Sequence, residues 1–349
     1  MNTVVTIILA VLLFGLVIFL HELGHFLSAK AFGVKVNEFA LGMGPKLFSF
    51  GKKETKYSLR LLPIGGFCAM EGEDEESEDE RAFNRQKVWK RIIIVAAGAI
   101  MNILLGFLLM ICLTVQEDAF KSTTVVATGD AVSVENGAFE PGDRITAING
   151  YRIYNDYDLN FSLSRYADEP MEFTVIRSSG EKTTLTGVTL DYSKITGQDN
   201  GFAFTVQSVP KTFFTVVSQS AKSVLSITRL VWASLLDLIS GKYGLEAVSG
   251  PVGTAQVIGE AASQGANFVE SLNNILWIMA LITVNLGVFN LLPVPALDGG
   301  RLLFLLVEAV RRKPIPQKYE GWVHAAGFVI LIGFMLIVTF NDVWRLIRG

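Results

Sequence analysis

The sequence predicts a polytopic α-helical membrane protein: four transmembrane helices, an inserted α+β domain and a cytoplasmic-side β-hairpin. Three observations carry this. Half of the 349 residues are hydrophobic and only 18% are charged, against about 25% charged in an ordinary soluble chain. Four separate runs approach or exceed the roughly 20 apolar residues that a spanning helix needs. Between the second and third runs, short β-rich stretches alternate with turn signals. The net charge of −3 argues against nucleic acid as a partner and leaves the lipid bilayer as the first one.

The first run, Val4 to Leu20, is uncharged and continues as a helical pattern to about Ala31. It has no basic n-region and no A-x-A-like cleavage site, so it is read as a retained span rather than a signal peptide. The others are Ile92 to Val115, Ser271 to Leu297, and Gly321 to Phe340, the last interrupted only by His324. Lys87, Lys90 and Arg91 precede the second span, and Arg301, Arg311, Arg312 and Lys313 follow the third. Basic clusters mark cytoplasmic flanks, which places both chain ends on the far side. Arg345 and Arg348 oppose that assignment, and the two larger clusters outvote them. Cys68 and Cys112 give neither a disulfide framework nor a metal spacing; Cys112, inside an apolar run, is expected to be buried.

The first span ends in His21-Glu22-Leu23-Gly24-His25. Positions i and i+4 share a helix face, so both imidazoles can reach one metal ion. Glu22 is turned roughly 100° around the axis, beside the metal rather than on it. That is the pattern of a zinc hydrolase with a carboxylate base. Ionisable side chains in a span are costly and need a function.

Two histidines leave the site short of the three protein ligands of a catalytic zinc centre. The third span closes with Asn290-Leu-Leu-Pro293-Val-Pro295-Ala-Leu-Asp298-Gly-Gly-Arg301. Two prolines break the helix and the Gly pair permits a tight turn. Broken backbone at membrane depth survives where it lines a cavity or is buried in protein. Asp298, the one carboxylate at that break and at the same expected depth as the histidines, is the preferred third ligand. His324 is the alternative and otherwise reads as an interfacial histidine.

Residues 32 to 91 should form a cytoplasmic loop. Lys46 to Phe50 and Lys56 to Leu62 read as short strands about a turn, and Pro63-Ile-Gly65-Gly66-Phe67 reads as a breaker. The acidic stretch Glu71 to Glu80 reads as a solvated, disordered segment. Residues 116 to 207 read as the inserted domain, with turns at Pro141-Gly-Asp143, Asn149-Gly150 and Ser178-Ser-Gly180. The spacing from Gly137 to Gly150 resembles the stretch shared by PDZ domains. In residues 208 to 270, apolar positions from Phe214 to Leu235 recur at helical spacing while Lys222, Arg229 and Asp237 interrupt any full span. An interfacial amphipathic helix is expected there.

Together, HELGH in the first span, NLLPVPALDGG in the third and a PDZ-like domain between the second and third resemble the site-2 protease family. The likeness is nearest to the bacterial regulator-of-sigma-factor intramembrane proteases, extends over nearly the whole chain, and includes Gly250-Pro-Val-Gly253 and Tyr57 to Gly66. The chain departs from the family at Ala97-Gly98-Ala99, where proline often follows the glycine, which leaves the role of Asn102 open. The resemblance implies one Zn2+ held by His21, His25 and Asp298, with Glu22 as the catalytic base. It implies that Asn290 binds substrate; Pro293, Pro295, Gly65 and Gly66 are assigned with it, and the hairpin offers an open strand edge. Implied substrates are single-pass membrane proteins such as anti-sigma factors, cut after a first protease has acted, and leftover signal peptides. The implied location is the bacterial plasma membrane, active site toward the cytoplasm and PDZ-like domain outside. A transporter reading would call for repeated halves, and four unequal spans show none. The domains are then 1–115 (first two spans and hairpin loop), 116–207 (PDZ-like), 208–270 (amphipathic segment) and 271–349 (last two spans).

Overall fold

A computed structural model describes residues 3–51, 54–167, 169–191, 204–242, 244 and 248–348. Among the described residues, four helices are long and apolar enough to cross a membrane: Ile7–Ala31, Val88–Thr114, Phe268–Asn290 and Gln317–Arg348. The chain is an integral membrane protein with a β-rich domain. It divides into two compact units, one made of Met1–Leu109 with Leu235–Gly349 and the other of Met110–Ser234.

In the first unit the elements are α1 (Thr3–Ala31), β1 (Val36–Phe50), β2 (Lys56–Met70) and α2 (Val88–Thr114), which runs on into the second unit. Glycines set how these helices meet. A Cβ on Gly24 of α1 would lie 3.0 Å from Gly98 Cα and closer still to the Ala97 carbonyl, so α1 and α2 touch backbone to backbone. Small residues permit that approach where lipid gives helices no hydrophobic drive to associate.

The hairpin is longer than the sequence suggests. Pro63 to Phe67 does not break it but lies inside β2. Gly42, Gly44 and Gly65 take φ of 84°, 82° and 85°, bending both strands through a region closed to most side chains. As a result Glu38 to Leu41 pairs on one side with Lys56 to Leu59 and on the other with Gly66 to Ala69, while Lys46 to Phe50 pairs with Tyr57 to Arg60. Two long strands thus make four sheet segments. Leu59, between Leu41 and Phe48, is interior; Gly66 to Met70 is an outer segment.

The acidic stretch is also tied down, contrary to a disordered reading. Lys35 Nζ donates to Asp79 at 3.1 Å, Ser77 Oγ to Glu71 at 2.7 Å, and Arg301 to Glu73 and to Asp74, the latter at 2.8 Å. The charge run has cationic partners far away in sequence, which local composition does not reveal.

The second unit carries β3 (Ala119–Thr128), β4 (Val132–Ser133), β5 (Arg144–Ile148), β6 (Tyr151–Arg152), α3 (Asp156–Arg165), β7 (Met171–Ile176), β8 (Lys182–Leu190), β9 (Phe204–Pro210) and most of α4 (Phe213–Ile239). The sheet order is β4-β8-β7-β5-β3-β9, with β6 paired to β5. Ile145, Ile148, Leu159, Phe173 and Leu185 form its fully buried core. The Pro-Gly-Asp turn holds because Asp143 accepts from Glu140 N–H at 2.8 Å and pairs with Arg177 at 2.5 Å. Asn155 caps α3, and its Oδ1 also accepts from Ser226 of α4. Cys112 is exposed rather than buried; an apolar run on a spanning helix need not face protein.

The rest of the first unit is α5 (Pro251–Gln264), α6 (Phe268–Asn290), α7 (Asp298–Arg311) and α8 (Gln317–Arg348). The sequence reading had no α5. Its Gly-Pro-Val-Gly start is explained by Asp342 of α8, 3% exposed, which accepts from Gly253 N–H at 2.9 Å. A Cβ on Gly250 would stand 2.8 Å from the same carboxylate.

Candidate metal centre

α1 carries both histidines on one face, and both are buried. His25 Nδ1 donates to the Ile94 carbonyl of α2 at 2.9 Å, which leaves Nε2 as a bare lone pair. His21 Nε2 lies 3.2 Å from His25 Nε2, and its Nδ1 is 3.3 Å from the Asn102 amide. Asn102 is fully buried and its Oδ1 has no other partner among the described residues. Turning the amide so that Oδ1 faces His21 Nδ1–H satisfies both groups, and amide orientation is assigned from such networks. In that orientation Asn102, whose role the sequence left open, would hold the His21 proton on Nδ1.

Asp298 reaches the pair from another element. α6 ends at Asn290, and a turn over 291–297 leads into α7, where Asp298 is the first residue. The Gly pair works by close approach, not by a tight turn. Neither glycine has positive φ, but a Cβ on Gly299 would lie 2.5 Å from the Leu292 carbonyl carbon, and one on Gly300 2.6 Å from Val294 O. The start of α7 is thereby laid against its own preceding turn. Asp298 Oδ2 stands 3.2 Å from His21 Nε2 and 3.3 Å from His25 Nε2.

The donor set fits a zinc ion. Three donor atoms lie 3.2–3.3 Å apart, and a tetrahedral ion with bonds of about 2.0–2.1 Å has ligand–ligand edges of roughly 3.3–3.4 Å. With both Nδ1 positions protonated, two lone pairs and a carboxylate oxygen face one another, an arrangement that a cation relieves. Gly98 supplies the space: a Cβ there would come within 2.8 Å of His21 Cε1 and nearer to the His25 ring.

Glu22, beside these donors, lines the same cleft of about 510 Å3, together with Phe67 to Met70, Glu73, Asp74, Val95, Ala296 to Asp298, Arg301 and His324. The outer hairpin segment runs past it. Cys68 N–H is directed at the Glu22 carboxylate, and a Cβ on Gly66 would lie 3.2 Å from Glu22 Cγ. Asn290 Nδ2 comes within 3.5 Å of His21 Nε2. Pro293, Pro295 and Gly65 do not line the cleft: Pro293 is exposed, Pro295 packs on Gly327 of α8, and Gly65 lies against Met43. His324 is half-buried and stands outside the His21–His25–Asp298 group. Its Nδ1 accepts from Ala296 N–H at 3.1 Å, which ties the ring to the turn before Asp298. Sequence reasoning had no place for Gly98, Glu73 or Arg301. The arginine was visible three residues beyond Asp298, but its acidic partners come from the loop after β2. Burial pushes the Glu73 carboxyl up, against the pull of the Arg301 guanidinium.

The model of peptidase family M50 matches residues 9–334. A Clostridium perfringens protein assigned as a zinc metalloprotease is 36% identical, covering 97% of this chain and 98% of its own length. The regulator of sigma-W protease RasP of Bacillus subtilis is 30% identical, covering 98% and 99%. The zinc metalloprotease RasP of Geobacillus kaustophilus is 29% identical, covering 99% of each. A family match over almost the entire chain meets a three-donor centre with a carboxylate beside it: the chain belongs to peptidase family M50, the site-2 protease family, and is a zinc metalloprotease.

Proposed function

We propose that the protein is an intramembrane endopeptidase that hydrolyses peptide bonds within the transmembrane segments of single-pass membrane proteins. The observation that carries this is the position of His21, Glu22 and His25 within the second half of a helix long and apolar enough to span a membrane, facing Asp298 and beside an outer strand segment. His21, His25 and Asp298 are the residues that would hold zinc. Bound there, zinc supplies Lewis acidity, polarising a carbonyl and lowering the pKa of water. Glu22 takes the proton of the attacking water and hands it to the departing amine.

A substrate helix hides its amides in internal hydrogen bonds, so cleavage requires replacement partners. The outer segment Gly66 to Met70 would take the unwound strand by edge addition, with Asn290 donating to a substrate carbonyl. Arg301, Glu73 and Asp74 form the polar wall of the cleft. The β-rich domain, read as PDZ-like, would act as a size gate that admits substrates already trimmed outside the membrane. The RasP name of the relatives supports anti-sigma factors as substrates; leftover signal peptides have the same single-span form. The basic flanks support a plasma-membrane enzyme whose active site faces the cytoplasm.

The test is cleavage of a trimmed single-pass substrate in liposomes, with the cut mapped by mass spectrometry. Cuts inside the apolar span, abolished in Glu22→Gln, are expected. Cuts confined to the flanking polar segments would reject the intramembrane reading.

A further inference from the structure

Two residues before Asp298, Ala296 has φ of 75°, one of three non-glycine residues with positive φ among the described residues. Alanine is disfavoured there because its Cβ crowds the following carbonyl, so something outside the turn must hold it. The neighbouring N–H groups are satisfied locally: Val294 donates to Leu292 O and Leu297 to Val294 O. Ala296 N–H instead donates to His324 Nδ1 of α8 at 3.1 Å. α8 comes this close because Gly327 has no side chain; a Cβ there would lie within 2.8 Å of the Pro295 carbonyl.

An accepting Nδ1 puts the ring proton on Nε2. That nitrogen is buried with no hydrogen-bond partner among the described residues, 4.0 Å from Glu320 Oε1 one turn earlier. Glu320 pairs in turn with Arg301 Nε at 3.3 Å, and Arg301 sits one turn after Asp298. α8 therefore grips the chain on both sides of the carboxylate, at Ala296 through His324 and at Arg301 through Glu320.

We propose that His324 is a positioning residue for Asp298: its Nδ1 fixes Ala296 in the left-handed conformation that aims the Asp298 carboxylate at the two imidazoles. The proposal rests on the zinc-centre reading above. It does not make His324 a ligand, since the nitrogen facing the turn is already occupied by Ala296 N–H. The last span thereby acquires a role at the metal centre, although it contributes no metal donor.

Two near-isosteric variants separate positioning from simple packing. His324→Asn places its amide oxygen close to the position of Nδ1, whereas His324→Gln places it near Nε2. The readout is the zinc dissociation constant of the detergent-purified full chain, measured by chelator competition. His324→Gln and His324→Leu should weaken zinc binding about 10–100-fold, as loss of an outer partner does, while His324→Asn should stay close to wild type. Adding Ala296→Gly to His324→Leu should recover part of the loss, since glycine takes positive φ unaided. Wild-type affinity in His324→Gln and His324→Leu, or an Asn variant as weak as the Leu variant, would overturn the positioning role alone. A wild type that binds no zinc would overturn the metal-centre reading and this proposal with it.

Discussion

Asn102 of α2 stands 3.3 Å from Nδ1 of His21, on the side of the imidazole opposite Asp298. Both histidines of the candidate centre thus meet α2 at their Nδ1 nitrogens, His25 at the Ile94 carbonyl and His21 at an amide. Loss of such an outer partner typically weakens metal binding about 10–100-fold. Asn102→Leu is expected to fall in that range, and Asn102→Asp, which keeps an acceptor facing Nδ1–H, to lose less. Chelator competition measures both. Equal zinc affinity in wild type and Asn102→Leu would show that the contact does not orient His21.

Gly98 is expected to tolerate nothing larger. A Cβ would collide with both imidazoles, and overpacking of a tight site costs about 1–3 kcal/mol. Gly98→Ala should therefore release zinc while the protein remains inserted, whereas Gly241→Ala, where a Cβ meets open space but φ is 75°, should keep zinc. Metal content per chain distinguishes the two, and full zinc in Gly98→Ala would contradict the packing account.

The β-rich domain begins and ends at neighbouring positions, since Ala119 pairs with Pro210 across β3 and β9. Residues 120 to 205 can therefore be removed with 206 to 209 left as the linker between these neighbours. The size-gate proposal predicts that this deletion, with zinc retained, cuts untrimmed substrates that the full chain leaves intact. A folded, zinc-loaded deletion that still rejects them would remove the gate.

Glu54 ties the hairpin turn to the end of α1 and to the acidic loop. Arg81 and Lys30 hydrogen-bond its carboxylate and hold its pKa at about 2, below the usual 4.5. A depressed acid contributes stability above its unfolded value and loses it as pH falls toward the folded one. Protection factors at residues 54 to 60, with the intrinsic acid slowing of amide exchange divided out, should fall between pH 4.5 and 2. Glu54→Gln should show low protection across that whole range. An unchanged exchange profile in the variant would show that the tie carries no stability.

The sequence made some of this site legible because the relevant spacing is local. His21 and His25 are one helical turn apart, and Asp298 is the only carboxylate at a proline-broken span end. The remaining parts depend on contacts that no local pattern encodes. His324 acts through a backbone N–H 28 residues earlier in the chain. Arg301 meets Glu73 and Asp74 across more than 200 residues, so a run of acids looks solvated when read alone. Pro63 to Phe67 has breaker composition, yet bent strands use its glycines inside the sheet. The function of Gly98 is an absence of atoms, visible only once both imidazoles are placed against it.

Zinc content of the detergent-purified chain, measured for wild type, His21→Ala and Asp298→Ala, bears most directly on the central claim. The account predicts about one zinc in the wild type, as expected of a single catalytic centre, and its loss or sharp reduction in both variants. A wild type that stays zinc-free after metal supplementation would contradict the metal centre itself; full zinc in Asp298→Ala would contradict the carboxylate as third ligand.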